Sequence, residues 1–228
     1  MGEVGQAKLI KKGAEAYLYL TEWQGRKAIF KKRLPKRYRL SVLDEQIRTY
    51  RTIHEPRLMH EAKKAGVPTP TILLIDVKNS LIVMEHIEGK QLKQLLSEVS
   101  SEERRRLCRC IGELVGRLHK HGIIHGDLTT SNMIYTHGDK IFFVDFGLGE
   151  KTKELEAMGV DLHLMKRALQ STHFKFAEEC FKSIIEGYSK VLDAGIVKNV
   201  LDKIEEIEKR GRYITGRRRK GNVNWASN

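Results

Sequence analysis

Apolar and polar positions change period along the chain. In the first third the pattern is short and close to two-residue alternation. "AYLYLTE" (16–22) and "KAIFKK" (27–32) are predicted strands joined by "WQGR", a hairpin connection carrying Gly25. "TILLIDV" (71–77) and "SLIVME" (80–85) form a second predicted pair across Lys78 and Asn79. Helical sequence lies between the pairs. It opens with Ser41 three residues before Asp44 and stops at Gly66, and Pro56 is expected to kink or divide it, having no amide and clashing with the preceding turn. From residue 100 the period becomes helical: Ser100 with Glu103 makes a capping pattern, and Leu107, Ile111, Leu114, Val115 and Leu118 share one face of a helix ending near Gly122. Two short strands, 133–137 and 140–145, follow around Gly138 and Asp139, and further helices run from about 162 to 208.

This order predicts an α+β chain of two small lobes sharing a cleft: a sheet-rich lobe over 1–85, a reduced helical lobe over 86–210, and a basic tail over 211–228. The length of 228 residues and 40% hydrophobic content permit a real core, and there is no run of about 18 apolar residues to span a membrane. The first residues lack an apolar signal core, so a cytoplasmic protein is expected. Cys108, Cys110 and Cys180 read as plain thiols, and His119, His121, His163 and His173 read as helix and surface residues without metal spacing. The net charge of +13 changes the picture more, because it calls for a polyanionic partner. Two segments hold much of it, "KKRLPKRYR" (31–39) and "KRGRYITGRRRKG" (209–221). The second, with Arg212, Arg217, Arg218, Arg219 and Lys220, lies outside any apolar period and is the stronger nucleic-acid candidate.

The chemistry sits in "IIHGDLTTSNMI" (123–134) and in "DFG", which begins at Asp145. An Asp able to accept a hydroxyl proton, Asp127, with an Asn and a second Asp offering oxygens to Mg²⁺, Asn132 and Asp145, is the set phosphoryl transfer requires. "AIFK" (28–31) sets Lys31 at the end of a strand, where its ammonium can meet phosphates and needs an acid on the next helix. Glu55 and Glu61 are both candidates for that acid.

Taken together these motifs resemble the protein-kinase fold over nearly the whole chain. The resemblance implies a Met84 gatekeeper, with Glu85 and Ile87 offering backbone groups to adenine, in "LIVMEHIEG". It makes "KKGAEAYLYL", with Gly13, the phosphate cover, although G-x-G-x-x-G is missing. Gly126 stands where most protein kinases carry an Arg, and no A-P-E follows "DFG", so the platform for a peptide substrate is absent. "GAEA", "FKKRLPKRYR", "HEPRL", "HGDLTTSN", "VDFGLGE" and "DLHLMKRAL" are similar to one branch: the small atypical kinase/ATPase subunit of the KEOPS complex, the bud-site-selection kinase family with its p53-related kinase relatives. That resemblance implies ATP and Mg²⁺ as cofactors, Glu55 as the acid beside Lys31, and both ATP hydrolysis and Ser/Thr phosphorylation. As partners it implies the threonylcarbamoyl transferase subunit, a small regulatory subunit and tRNA, with no membrane.

Other readings compete. Aminoglycoside and choline kinases share H-G-D and the Asn spacing but need an acid-lined helical insert. A RIO-type kinase is expected to add an N-terminal winged helix. A catalytically weak, kinase-shaped RNA-binding scaffold fits the missing glycine-rich loop, while retention of Lys31, Asp127, Asn132 and Asp145 argues for turnover.

Overall fold

The computed structural model describes residues 7–221, with side chains as far as Arg210. Internal packing divides it into two units: residues up to Val99 together with His125–Lys151, and Ser100–Ile124 together with residues from Thr152 onward.

The first unit is built on a five-stranded antiparallel sheet of β1 (Lys8–Lys12), β2 (Tyr17–Trp23), β3 (Arg26–Lys32), β4 (Ile72–Asp76) and β5 (Leu81–Glu85), in the order β1-β2-β3-β5-β4. Trp23 pairs with Arg26 to close the β2–β3 hairpin. Gln24 (φ 50°) and Gly25 (φ 73°) are both left-handed, the two-residue turn whose twist matches its strands. β1, leading into the segment read as phosphate cover, is a strand the sequence pattern did not predict. The helix α1 (Ser41–Lys64) is continuous, so Pro56 does not divide it. Pro56 and its neighbour Glu55 are both buried, and the ion pairs made by Glu55 fix this turn from outside the helix. Ser41 does not cap it either: the N-cap is Leu40, and Asp44 is drawn into ion pairs with Arg48 (2.7 Å) and Arg39 (3.6 Å). Gly66 (φ 79°) follows the helix end as expected.

The rest of this unit comprises β6 (Lys90–Gln91), the short α2 (Leu92–Leu95), a 3-10 turn at Thr130–Asn132, β8 (Met133–Tyr135), β9 (Ile141–Phe143) and β10 (Glu150–Lys151), with β6, β8 and β9 in one small sheet. The Phe143 amide donates to the Pro68 carbonyl at 2.9 Å. This bond ties the segment 125–151 to the strand-connecting region of the large sheet, and residues 86–99 fall in the same unit, so the division falls after Val99 and not at residue 85.

The second unit contains α3 (Ser101–Lys120), β7 (Ile123–Ile124), α4 (Leu155–Thr172), α5 (Ala177–Tyr188) and α6 (Ala194–Gly221). Ser100 Oγ accepts from the Glu103 amide at 3.2 Å, the expected cap of α3. A Cβ on Gly112 would run into the Ile184 backbone, which lets α3 and α5 approach closely. Cys108 and Cys180 are fully buried free thiols. His119 is no surface residue: it is 1% exposed, with Nδ1 2.8 Å from the Tyr188 hydroxyl and Nε2 3.3 Å from Asp161. Among the described residues no helix is long and apolar enough to cross a membrane. Residues 211–221, expected as a separate tail, continue α6, and 222–228 lie outside the described residues.

Candidate active site

Every side chain of the candidate site with a described position belongs to the first unit. Alternation along β3 puts Ile29 and Lys31 on one face, and Arg33 continues it just past the strand. Lys31 Nζ donates to Glu55 Oε1 at 2.8 Å and to Asp145 Oδ1 at 2.6 Å. Arg33 takes the other Glu55 oxygen and donates to Thr52 Oγ1 at 3.3 Å. Glu61, six residues on, is turned about 240° around the helix and pairs with Lys64 and Lys151 instead. Glu55 is therefore the acid that meets Lys31. Two cations and two carboxylates make a charge-balanced quartet in which Lys31, Arg33 and Glu55 are nearly inaccessible to water. Burial works against the Lys31 ammonium, but Glu55 and then Asp145 outweigh it and raise its pKa above the ordinary lysine value. Burial likewise pushes Asp145 up, and Lys31 overcomes this to hold the carboxyl at about 2.

The loop before β8 is tied together by its own polar groups. The Asp127 amide donates to His125 Nδ1 at 3.3 Å, so the ring proton sits on Nε2, which faces the Val144 carbonyl at 3.2 Å. His125 thus links Asp127 to Val144, the residue just before Asp145. Asn132 Nδ2 donates to the Asp127 carbonyl (3.0 Å) and to Asp127 Oδ2 (2.8 Å). Both partners are acceptors, which orients the amide and leaves Asn132 Oδ1 as its acceptor. Asp145 has φ 67°, a conformation strained for a non-glycine residue and the sort held at functional sites by surrounding contacts. Gly126 has φ 78°, and a Cβ there would strike the Leu148 carbonyl, so no arginine can stand at this position without rearrangement.

Two cavities share Lys11, Leu18, Lys31 and Asp145. The larger, about 460 Å³, is walled by Ile29, Met84, Ile87, Ile134 and Val144, an apolar lining beside Lys31 and Asp145. The Glu85 amide is committed to the Thr71 carbonyl at 2.8 Å, so Glu85 can offer a base only its own carbonyl. The smaller, about 280 Å³, adds Gly13, Glu15, Arg33, Arg51 and Asp127. The Gly13 amide donates to the Ala16 carbonyl at 3.0 Å, and a Cβ on Gly13 would press on that oxygen at 2.9 Å. Asn132 Oδ1 and the Asp145 oxygen not taken by Lys31 are hard donors. With phosphate and water oxygens they fit the coordination a magnesium ion prefers. Among the described residues there is no group of three or more His, Cys, Asp or Glu to make a self-sufficient metal cage.

Residues 20–159 match the RIO domain family. A protein of Pyrococcus abyssi, "KEOPS complex subunit Bud32", is 48% identical over 212 residues, covering 90% of this chain and 96% of the relative. The chain belongs to the Bud32 family of RIO-domain proteins. A "probable bifunctional tRNA threonylcarbamoyladenosine biosynthesis protein" of Methanothermobacter thermautotrophicus is 45% identical over 90% of this chain. This chain spans 36% of that longer relative. Among solved structures, the Rio2 kinase of Chaetomium thermophilum superposes with a TM-score of 0.56 at 17% identity, covering 91% of this chain and 73% of that one, which establishes the fold.

The Bud32-family chain brings together Lys31, Glu55, Asp127, Asn132 and Asp145, with Gly13, Met84, Glu85 and Ile87 lining the adjoining cavities. The side chains of Arg212, Arg217, Arg218, Arg219 and Lys220 lie outside the described residues. Sequence reasoning missed Arg33, Arg51 and His125 as site residues. The signal for Arg33 was present: it stands two residues after Lys31 and so shares its face.

Proposed function

We propose that this chain binds Mg²⁺-ATP in the two joined cavities and transfers or hydrolyses its terminal phosphoryl group, as a subunit of a KEOPS complex serving threonylcarbamoyladenosine formation on tRNA. The observation that carries the reading is the convergence of Lys31, Asp127 and Asp145 on one cavity, with Asn132 bonded to Asp127. The purine packs against Ile29, Met84, Ile87 and Val144, with the Glu85 carbonyl and the Ile87 amide at its edge. Lys31, held by Glu55, meets the phosphates. Asn132 and Asp145 hold the magnesium ion, which when bound neutralises charge on the phosphates. Asp127 orients a water or a Ser/Thr hydroxyl and accepts its proton as the oxygen attacks the terminal phosphorus and ADP departs. Its Oδ2 is occupied by Asn132, so Oδ1 is the accepting atom.

The complex and the tRNA are supported by the names of the relatives. In the bifunctional proteins a region like this chain makes up 36% of a polypeptide named for threonylcarbamoyladenosine biosynthesis. The partners in this reading are the transferase and a small regulatory subunit, in the cytoplasm. The test is ATP turnover by the parent and by Asp145→Ala, with and without the transferase partner and tRNA. Turnover should require magnesium, rise in the complex and vanish in the variant while the fold persists. An Asp145→Ala protein that hydrolyses ATP at the parent rate refutes the site.

A further inference from the structure

The turn covering the smaller cavity carries a carboxylate, an unexpected charge where phosphates are to enter. Glu15 Oε2 lies 2.6 Å from Arg51 Nη1 on α1, and Oε1 lies 3.3 Å from Arg39 Nη2. Burial pushes the Glu15 carboxyl up, but Arg51 and then Arg39 outweigh it and lower its pKa, so the group is charged at neutral pH. Arg39 also faces Asp44 at 3.6 Å.

The position of this pair along the two cavities is informative. Lys31 and Asp145 line both, Ile29, Met84 and Ile87 line only the purine cavity, and Glu15, Arg51 and Asp127 line only the smaller one. Arg51 therefore stands beyond Lys31, at the end where the last phosphate and the proton acceptor meet. Of the arginines lining the smaller cavity, Arg33 is locked to Glu55 from the rigid helix. Arg51 is instead paired with a residue of the cover turn, whose neighbours Gly13, Ala14 and Ala16 are small.

We propose that Arg51 recognises the terminal phosphate and that Glu15 occupies that phosphate's place in the nucleotide-free protein. The incoming phosphate takes Arg51 in a charge-assisted, fork-shaped contact, and Glu15 falls back on Arg39. Arg51 makes the site selective for a nucleoside triphosphate over a diphosphate, because only the triphosphate reaches it, and Glu15 moderates that preference by competing for the same guanidinium. This rests on the nucleotide reading above.

Calorimetric titration of the full chain with Mg²⁺-ATP and Mg²⁺-ADP tests it, using Glu15→Gln, Arg51→Gln and the double variant. Glu15→Gln should tighten ATP binding by about threefold to tenfold, and Arg51→Gln should weaken it by about tenfold or more, within the range for hydrogen bonds to charged groups. ADP affinity should stay within about twofold in both. The double variant should match Arg51→Gln alone, since Glu15 has nothing left to compete for. If Glu15→Gln weakens ATP and ADP alike, the pair merely props the turn and the proposal fails. It fails equally if the gain from Glu15→Gln persists without Arg51. A parent chain that binds neither nucleotide overturns the site reading itself, whereas normal parent binding with an unchanged ATP-to-ADP ratio in the variants overturns only the Arg51 assignment.

Discussion

Replacing Glu55 by Gln tests the quartet directly. Glu55 is 1% exposed and serves two buried cations, Lys31 and Arg33. In the variant Lys31 keeps Asp145 at 2.6 Å and can also shed its proton, so its loss is partly relieved. Arg33 has neither route: its guanidinium stays charged, with only neutral acceptors left, the Thr52 hydroxyl at 3.3 Å and the amide oxygen of the substituted side chain. The cost is therefore that of stranding one buried charge, about 3–5 kcal/mol. For a chain of 228 residues each kcal/mol moves the thermal midpoint by roughly 2–4 °C. The expected fall is about 6–20 °C, read by calorimetry or urea titration of the ligand-free protein. Adding Arg33→Met should restore part of the loss, because an apolar side chain tolerates burial better than a lone cation. Glu61→Gln, at a half-buried position whose ion pairs are with surface lysines, should leave the midpoint where it was. A Glu55→Gln protein as stable as the parent, or a Glu61→Gln protein that melts equally early, refutes this account of the site.

The remaining expectations are brief. Asp127→Asn should lower turnover by roughly a hundredfold or more with nucleotide affinity little changed; single-turnover kinetics beside a binding titration separate the two. Phosphatase treatment should not alter turnover of the isolated chain, since Gly126 leaves no room for a cation to grip a phosphorylated segment; inactivation traced to Thr152 contradicts this. Truncation after Arg210 should weaken tRNA binding and flatten its salt dependence, by about 0.7–0.9 in log–log slope for each phosphate no longer neutralised, with ATP binding intact. An unchanged slope returns the segment to an inert role.

Chemistry written in contiguous residues was legible in the sequence. The spacing of Asp127 and Asn132 is realised in one short loop and the 3-10 turn at 130–132, and the Trp23–Arg26 hairpin follows from local turn geometry. Features decided by distant partners were not legible. Pro56 reads as a helix breaker until Arg33 and Lys31 arrive to fix the turn at Glu55. Ser41 reads as a cap until Arg39 and Arg48 claim Asp44. His119 reads as one more helix residue until Asp161 and Tyr188 close on it from later helices. The choice between Glu55 and Glu61 was open for the same reason, since each lies on a helix but only one faces β3.

Charge is where the sequence misled most, and the structure redirects the argument. "KKRLPKRYR" looks like a binding patch, yet Lys31 and Arg33 are buried in the site and Arg39 faces Glu15 and Asp44. Lys32 and Arg37 are left as its exposed cations, with Lys36 half-buried. On α6, Lys209 pairs with Glu205 and Arg210 with Glu156 and Glu206. After Glu208 the sequence contains no Asp or Glu to its end. A residue at Arg217, Arg218, Arg219 or Lys220 therefore has no acid three or four positions before or after it, the spacing at which a helix neutralises its own cations. That run of cations has no acid of its own to neutralise it, whereas substitutions in 31–39 would disturb the Lys31–Glu55–Arg33 cluster, which is why the truncation after Arg210 is the informative one.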